Sequence, residues 1–192
     1  MNRLQLIGIV VLLILGLAAC NRENVGSAPE VVAPDVSINY DGNNLTAPQL
    51  PAGTYEGGIR IESDLVNTYN GFTLKEIHFY IATLPSTCAI KIYQGSNQDA
   101  PDALIYSEIV TNDLSADSWN VHTLQRSVIL TDQDIWVAVQ FSHTEDQRTL
   151  GCDPGPAVTN GDWVRDASGW QTLRQLANTI NINWNVRAIV TP

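Results

Sequence analysis

The stretch TININWNVRAIV, Thr179 to Val190, alternates strictly: Ile180, Ile182, Trp184, Val186 and Ala188 fall on one side, and Asn181, Asn183, Asn185 and Arg187 on the other. Successive side chains of a β-strand point to opposite faces, so this period of two predicts an extended strand with one buried face. The pattern recurs upstream. In KEIHFYIATL, Ile77, Phe79 and Ile81 oppose His78, Tyr80 and Ala82, and in AIKIY, Ile90 and Ile92 oppose Lys91 and Tyr93. LIYSEIV, WNVHTL and IWVAVQF continue the series, broken by turn-rich segments such as GSNQDAPDA, Gly95 to Ala103. No run of ten residues combines helical spacing with caps, and only Thr172 to Ala177 reads as a short helical turn. About eight short strands without alternating helices predict an all-β domain over residues 54–192, an antiparallel jelly-roll-like β-sandwich.

The segment ahead of this body has a different character. Residues 1–19 carry one basic residue, Arg3, and an apolar run from Leu6 to Leu17, followed by small residues and Cys20. That is the pattern of a cleaved export signal, and the run is shorter than the about 20 apolar residues a membrane-crossing helix needs. Leu17-Ala18-Ala19-Cys20 resembles the lipobox of bacterial lipoproteins, which implies a mature chain starting at a lipidated Cys20. Several acyl chains make such an attachment effectively permanent, since each buried methylene contributes about 0.8 kcal/mol. Asn21 is not the aspartate that retains such proteins at the inner membrane, so the resemblance implies the cell envelope, at the outer membrane. Residues 20–53, with Pro29, Pro34, Pro48 and Pro51 and many Asn and Ser residues, predict a flexible linker, with a short strand at Val36 to Tyr40 as an alternative.

Charge narrows the partners. Losing residues 1–19 removes Arg3 alone, leaving nine basic against twenty acidic residues and a net charge of −11. A body so acidic does not bind nucleic acid or anionic lipid faces nonspecifically. The expected partners are the membrane, through the lipid, and a glycan or an envelope protein.

The loop LGCDPGPAVTNGDW, Leu150 to Trp163, is the densest concentration of special residues. With Cys20 lipidated, Cys88 and Cys152 remain. Outside the cytosol a disulfide between them is chemically allowed and would be worth about 4 kcal/mol of chain entropy; two free buried thiols are the alternative. Asp153 and Asp162 could join backbone carbonyls around a Ca2+ ion, a hard cation that takes oxygen ligands, but their spacing matches no EF-hand and aspartates beside Pro and Gly commonly close turns. Asn160-Gly161 is a tight-turn dipeptide. The loop therefore reads as a clamp, not a reactive centre, and no other cofactor is expected.

Catalysis finds no support elsewhere. His78, His122 and His143 share no metal-binding spacing, Gly95-Ser96-Asn97 lacks the pattern of a nucleophile elbow, and Cys152 has no neighbouring histidine. An unrecognised carboxylate pair is the one route left to a hydrolase. For binding, the candidates are Trp163 and Trp170, near turns where an aromatic ring stacks on a sugar or anchors a partner, and the row Asn181, Asn183 and Asn185, whose amides pair with hydroxyls.

Taken in order, KIYQG, LIYS, WNVHTL, DIWVAVQF, GCDPGPAVTNGDWV and NINWNVRA resemble a β-sandwich accessory module appended to secreted bacterial peptidases and surface proteins. The resemblance spans residues 54–191 and implies a noncatalytic, jelly-roll-type appendage, without catalytic residues. The expectation is a lipid-anchored envelope protein with a binding or adhesion module, or a structural lipoprotein that associates with another envelope protein through its sheet edges.

Overall fold

The computed structural model describes residues 33–97 and 99–192; the expected signal peptide and the Cys20 lipidation site lie outside them. The element order is β1 (Val36–Asn39), β2 (Gln49–Leu50), β3 (Gly53–Ile61), α1 (Ser63–Thr68), β4 (Thr73–Ile81), β5 (Thr87–Asn97), β6 (Ala100–Ile109), β7 (Ser118–Ile129), β8 (Ile135–His143), β9 (Gln147–Arg148), β10 (Trp163–Asp166), β11 (Gly169–Thr172), α2 (Leu173–Leu176) and β12 (Val186–Thr191). A four-stranded sheet in the order β1-β12-β4-β7 packs on a six-stranded sheet in the order β11-β10-β3-β8-β5-β6, while β2 pairs with β9. Every pairing is antiparallel, and the architecture is the expected β-sandwich.

The alternation seen in the sequence sets the core. Ile77, Phe79, Ile81, Val186, Ala188 and Val190 of the smaller sheet meet Ile59, Ile61, Ile90, Ile92, Val137, Val139 and Phe141 of the larger one, all essentially inaccessible to water. Each such side chain contributes on the order of 1.5–3 kcal/mol by burial, so the inter-sheet layer dominates stability. The short helix α2 is capped as its sequence suggests: Thr172 accepts from the Gln175 N–H while the Gln175 side chain accepts from the Thr172 N–H, a reciprocal capping box.

Three expectations need correction. The linker does not extend to Gly53. β1 lies on β12 in full register, Val36 opposite Val190 to Asn39 opposite Arg187, because Ile38 has a core face to fill. The last strand starts at Val186 rather than Ile180, since ahead of it the side chains of Asn181 and Asn183 and the isolated backbone bonds of residues 183–185 engage the loop of residues 151–161 in place of a continuous ladder. Finally, Cys88 and Cys152 are free. Cys88 sits in β5 opposite Phe141 within the apolar core, whereas the buried Cys152 bridges Thr46 and Trp184, so each cysteine is placed by its own ladder.

Burial pushes the Cys88 thiol up to about 12 and, with Asp153 beside it, the Cys152 thiol up to about 11. Both are neutral and unreactive at neutral pH. Mass-spectrometric peptide mapping after treatment with an alkylating reagent should find both cysteines unmodified in native protein and both modified in denaturant. A Cys88–Cys152 cross-linked peptide would contradict this placement.

Candidate binding face

The clamp anticipated at Leu150 to Trp163 exists, but hydrogen bonds make it. Gly151 N–H donates to the Tyr80 carbonyl and Asn185 N–H to the Gly151 carbonyl, while Cys152 and Thr46 exchange backbone bonds, so the segment threads between residues 44–46 and 183–185. Asp153 is buried and accepts from the N–H groups of Gly42 (3.1 Å), Gly155 (2.8 Å) and Asn183 (2.8 Å) and from Asn183 Nδ2 (3.0 Å). Burial opposes its ionisation, yet these donors outweigh it and hold the carboxyl below its ordinary value. Asp162, fully buried, accepts from Arg174 Nε at 3.0 Å. The two aspartates considered for calcium are thus engaged by separate donors, Asp153 by backbone and amide N–H groups and Asp162 by the Arg174 guanidinium. Among the described residues no three His, Cys, Asp or Glu side chains converge as a metal cluster.

The asparagine row is not a sugar ladder. Asn183 and Asn185 are buried. Asn183 Oδ1 accepts from the Val158 N–H at 2.8 Å, Asn181 Oδ1 from the Ala157 N–H at 2.9 Å, and Asn185 Nδ2 donates to Asp41 at 2.7 Å. They are the other half of the clamp, since a loop carrying two prolines needs side-chain partners for its backbone. The histidines also stay apart: His78 contacts Glu76, His122 contacts Tyr106 and Glu108, and His143 packs against both Tyr55 and Phe141.

The two candidate tryptophans do come together, on the outer face of the six-stranded sheet. The outward positions of β5, β8 and β10 place Tyr93, Trp136, Ala138 and Trp163 in a second apolar cluster, with Trp170 of β11 packed against it. Trp136 and Trp163 have ring centroids 4.9 Å apart, and Trp170 meets Trp136 edge-on at 5.4 Å and Tyr93 at 5.9 Å. Between β11 and β5 lie β10, β3 and β8. In a flat sheet with strands about 4.8 Å apart, Trp170 and Tyr93 would stand roughly 19 Å from each other. The sheet therefore curls across this face and the rings lean inward over its smallest positions, Ala138 and Gly58, which are register partners. Trp163 is consequently buried, and Trp170 is the partly accessible rim of the cluster.

A charged row runs beside the aromatic one. Register aligns Gln140, Glu56, Arg165 and Trp170 across β8, β3, β10 and β11. Glu56, 2% exposed, accepts from Tyr93 OH (2.5 Å), Lys91 Nζ (2.8 Å), Arg165 Nη1 (3.0 Å) and Gln140 Nε2 (3.4 Å). Burial and the adjacent Glu56 carboxylate push the Tyr93 hydroxyl well above its usual range, so it stays a donor. Arg60 lies over the Trp136 ring at 5.5 Å and pairs with Asp134. At one end of the row Thr54, Tyr55, Glu56, Gln140, Arg165, Asp166 and Ala167 enclose an open polar hollow of about 380 Å3. None of these polar residues stood out in the sequence. The available signal was a charged or amide residue at the outward position of an otherwise apolar strand, as in Glu56 of TYEGGIRI and Gln140 of IWVAVQF, but only the register joins them.

Compared by sequence, the chain matches no protein-family model and no curated protein. Solved structures do share its fold. One is described as the clostridial cysteine protease Cwp84 C116A after propeptide cleavage, with TM-score 0.61, 11% identity, and 82% of this chain matched to 40% of that one. A second is described as the cysteine protease and lectin-like domains of Cwp84, a surface-layer-associated protein of Clostridium difficile, with TM-score 0.52, 10% identity and 79% of this chain matched to 37% of that one. This chain therefore spans about two fifths of the proteins it resembles, and the likeness is one of fold. It agrees with the antiparallel β-sandwich described above.

Proposed function

We propose that this protein is a lipid-anchored component of the cell envelope whose β-sandwich binds glycans without catalysing a reaction. The LAAC sequence ending at Cys20 supports the anchor, with the outer membrane as its location. The observation that carries the binding role is the curled outer face, where the aromatic cluster rimmed by Trp170 adjoins a polar hollow lined by Gln140, Arg165 and Thr54. A pyranose presents an apolar face and a ring of hydroxyls, and this surface offers a partly exposed aromatic ring, Trp170, beside matching donors and acceptors. Glu56, the most buried carboxylate of the hollow, has its oxygens committed to four donors, which suits holding a geometry better than exchanging protons.

A glycan array probed with the full chain should give at least one neutral polysaccharide signal that Trp170→Ala and Gln140→Ala each weaken about tenfold or more. An array without a signal, or signals unchanged in both variants, would remove the glycan reading. A second reading, association with an envelope protein, draws on the sheet edges: Ile109 of β6 is 79% exposed, and Val121 and Ile129 of β7 about three fifths exposed (58% and 60%). Binding that is lost with Ile109→Lys and Val121→Lys, and retained in Trp170→Ala, is its signature.

A further inference from the structure

The polar hollow has an apolar neighbour. Leu50, Pro51, Leu176, Ala177 and Ile180 line a second hollow of about 360 Å3, and Tyr55 and Asp166 are walls of both. Tyr55 is pinned there, its hydroxyl donating to the Pro51 carbonyl at 3.1 Å and its ring stacked on Phe141. Asp166 reaches Ser168 through Oδ1 at 2.8 Å, while Oδ2 makes only a long contact of 3.4 Å with Gln171, so it keeps acceptor capacity.

Resting on the glycan reading above, we propose that the two hollows together bind an N-acetylated hexosamine, the pyranose in the polar part and the acetamido group in the apolar part. An acetamido substituent needs an acceptor for its N–H and an apolar surface for its methyl. Asp166 on the shared wall supplies the first, and Leu50, Leu176 and Ile180 beyond it supply the second. A plain alkyl chain would instead cover the Asp166 carboxylate on the shared wall without giving it a donor, which disfavours it. Charge narrows the sugar further. The net charge of −10 repels uronic acids and phosphorylated glycans, which leaves neutral amino sugars.

The test titrates the full chain with two tetrasaccharides of equal length and linkage, chitotetraose and cellotetraose, which differ in the acetamido groups. Chitotetraose should bind about tenfold tighter or more, the range one small apolar group commands in a fitted pocket. Leu176→Asp should erase that difference, and Leu176→Ala should reduce it, while Gln140→Ala should weaken both sugars alike. Equal affinities for the two tetrasaccharides would overturn the acetamido assignment and leave the glycan reading standing. Failure to bind either would also overturn it, and the array then decides the broader reading by itself.

Discussion

Gly58→Ala should cost about 3 kcal/mol or more, the upper range for forcing a methyl into a packed interior. For a chain of this size that corresponds to a fall in Tm of roughly 6–12 °C. Gly58 lies in β3 opposite Ala138 of β8, and a Cβ at this position would stand 2.3 Å from the Val137 carbonyl oxygen and 2.8 Å from the Ala138 Cα. Both are backbone atoms of the adjoining central strand, so no rotamer change relieves the overlap. Gly57 is the internal control. Its Cβ would approach the terminal Leu150 Cδ2 at 2.6 Å and the Trp184 ring at 3.1 Å, and a leucine methyl can turn aside. Urea denaturation should therefore rank Gly58→Ala as clearly worse than Gly57→Ala. The same overlap explains a functional link: without a side chain at Gly58, β3 and β8 approach closely beneath the aromatic cluster, and the face curls.

Glu56→Gln is the second large expected effect, a loss of about 3 kcal/mol. Removing one partner of a buried ion pair leaves the other charge desolvated, which typically costs 3–5 kcal/mol. Here the stranded cation is Lys91, whose side chain is 14% exposed, whereas Arg165 at 47% exposure is hydrated and contributes little. Glutamine keeps the shape and still accepts from Tyr93, so the lower end of the range applies. The decisive measurement is a double-mutant cycle. Glu56→Gln combined with Lys91→Met removes both charges and should be less destabilised than the sum of the two single changes by more than about 1 kcal/mol. Strict additivity in urea denaturation would show that the pair is not coupled.

Much of the fold was legible because period-two alternation is a local property. Ile77, Phe79 and Ile81, Ile90 and Ile92, and Val186, Ala188 and Val190 are core residues for the reason their spacing suggests. The same rule failed at Asn181 to Asn185, where the alternation continues but the strand does not. An outward asparagine faces solvent unless a loop lies over it, and the loop in question, residues 153–158, is nearly 30 positions away in the chain. Of the strands that the alternation does not reveal, β2, β9, β10 and β11 are only two to four residues long, too short to show a period, and the nine-residue β3 hides its alternation behind the Gly57-Gly58 pair, while β1 reads only as an alternative to linker. The binding face was half visible. Trp163 and Trp170 drew notice as aromatic residues near turns, but Glu56, Lys91, Gln140 and Arg165 lie on four different strands and meet only through strand register. The cysteines show the converse error, because two thiols in an exported chain suggest a bridge on chemical grounds while the ladders assign them to separate places.

The account depends most on the curl that brings β11 over the outer face of the larger sheet. Nuclear Overhauser spectroscopy on the full chain measures it directly. Cross-peaks between the Trp170 indole and the Tyr93 ring are the predicted result, as expected for ring centroids 5.9 Å apart on strands separated by three others. Their absence, with the Trp163 to Trp136 cross-peaks intact, would mean that the face is open and flat, and the binding surface described here would not exist.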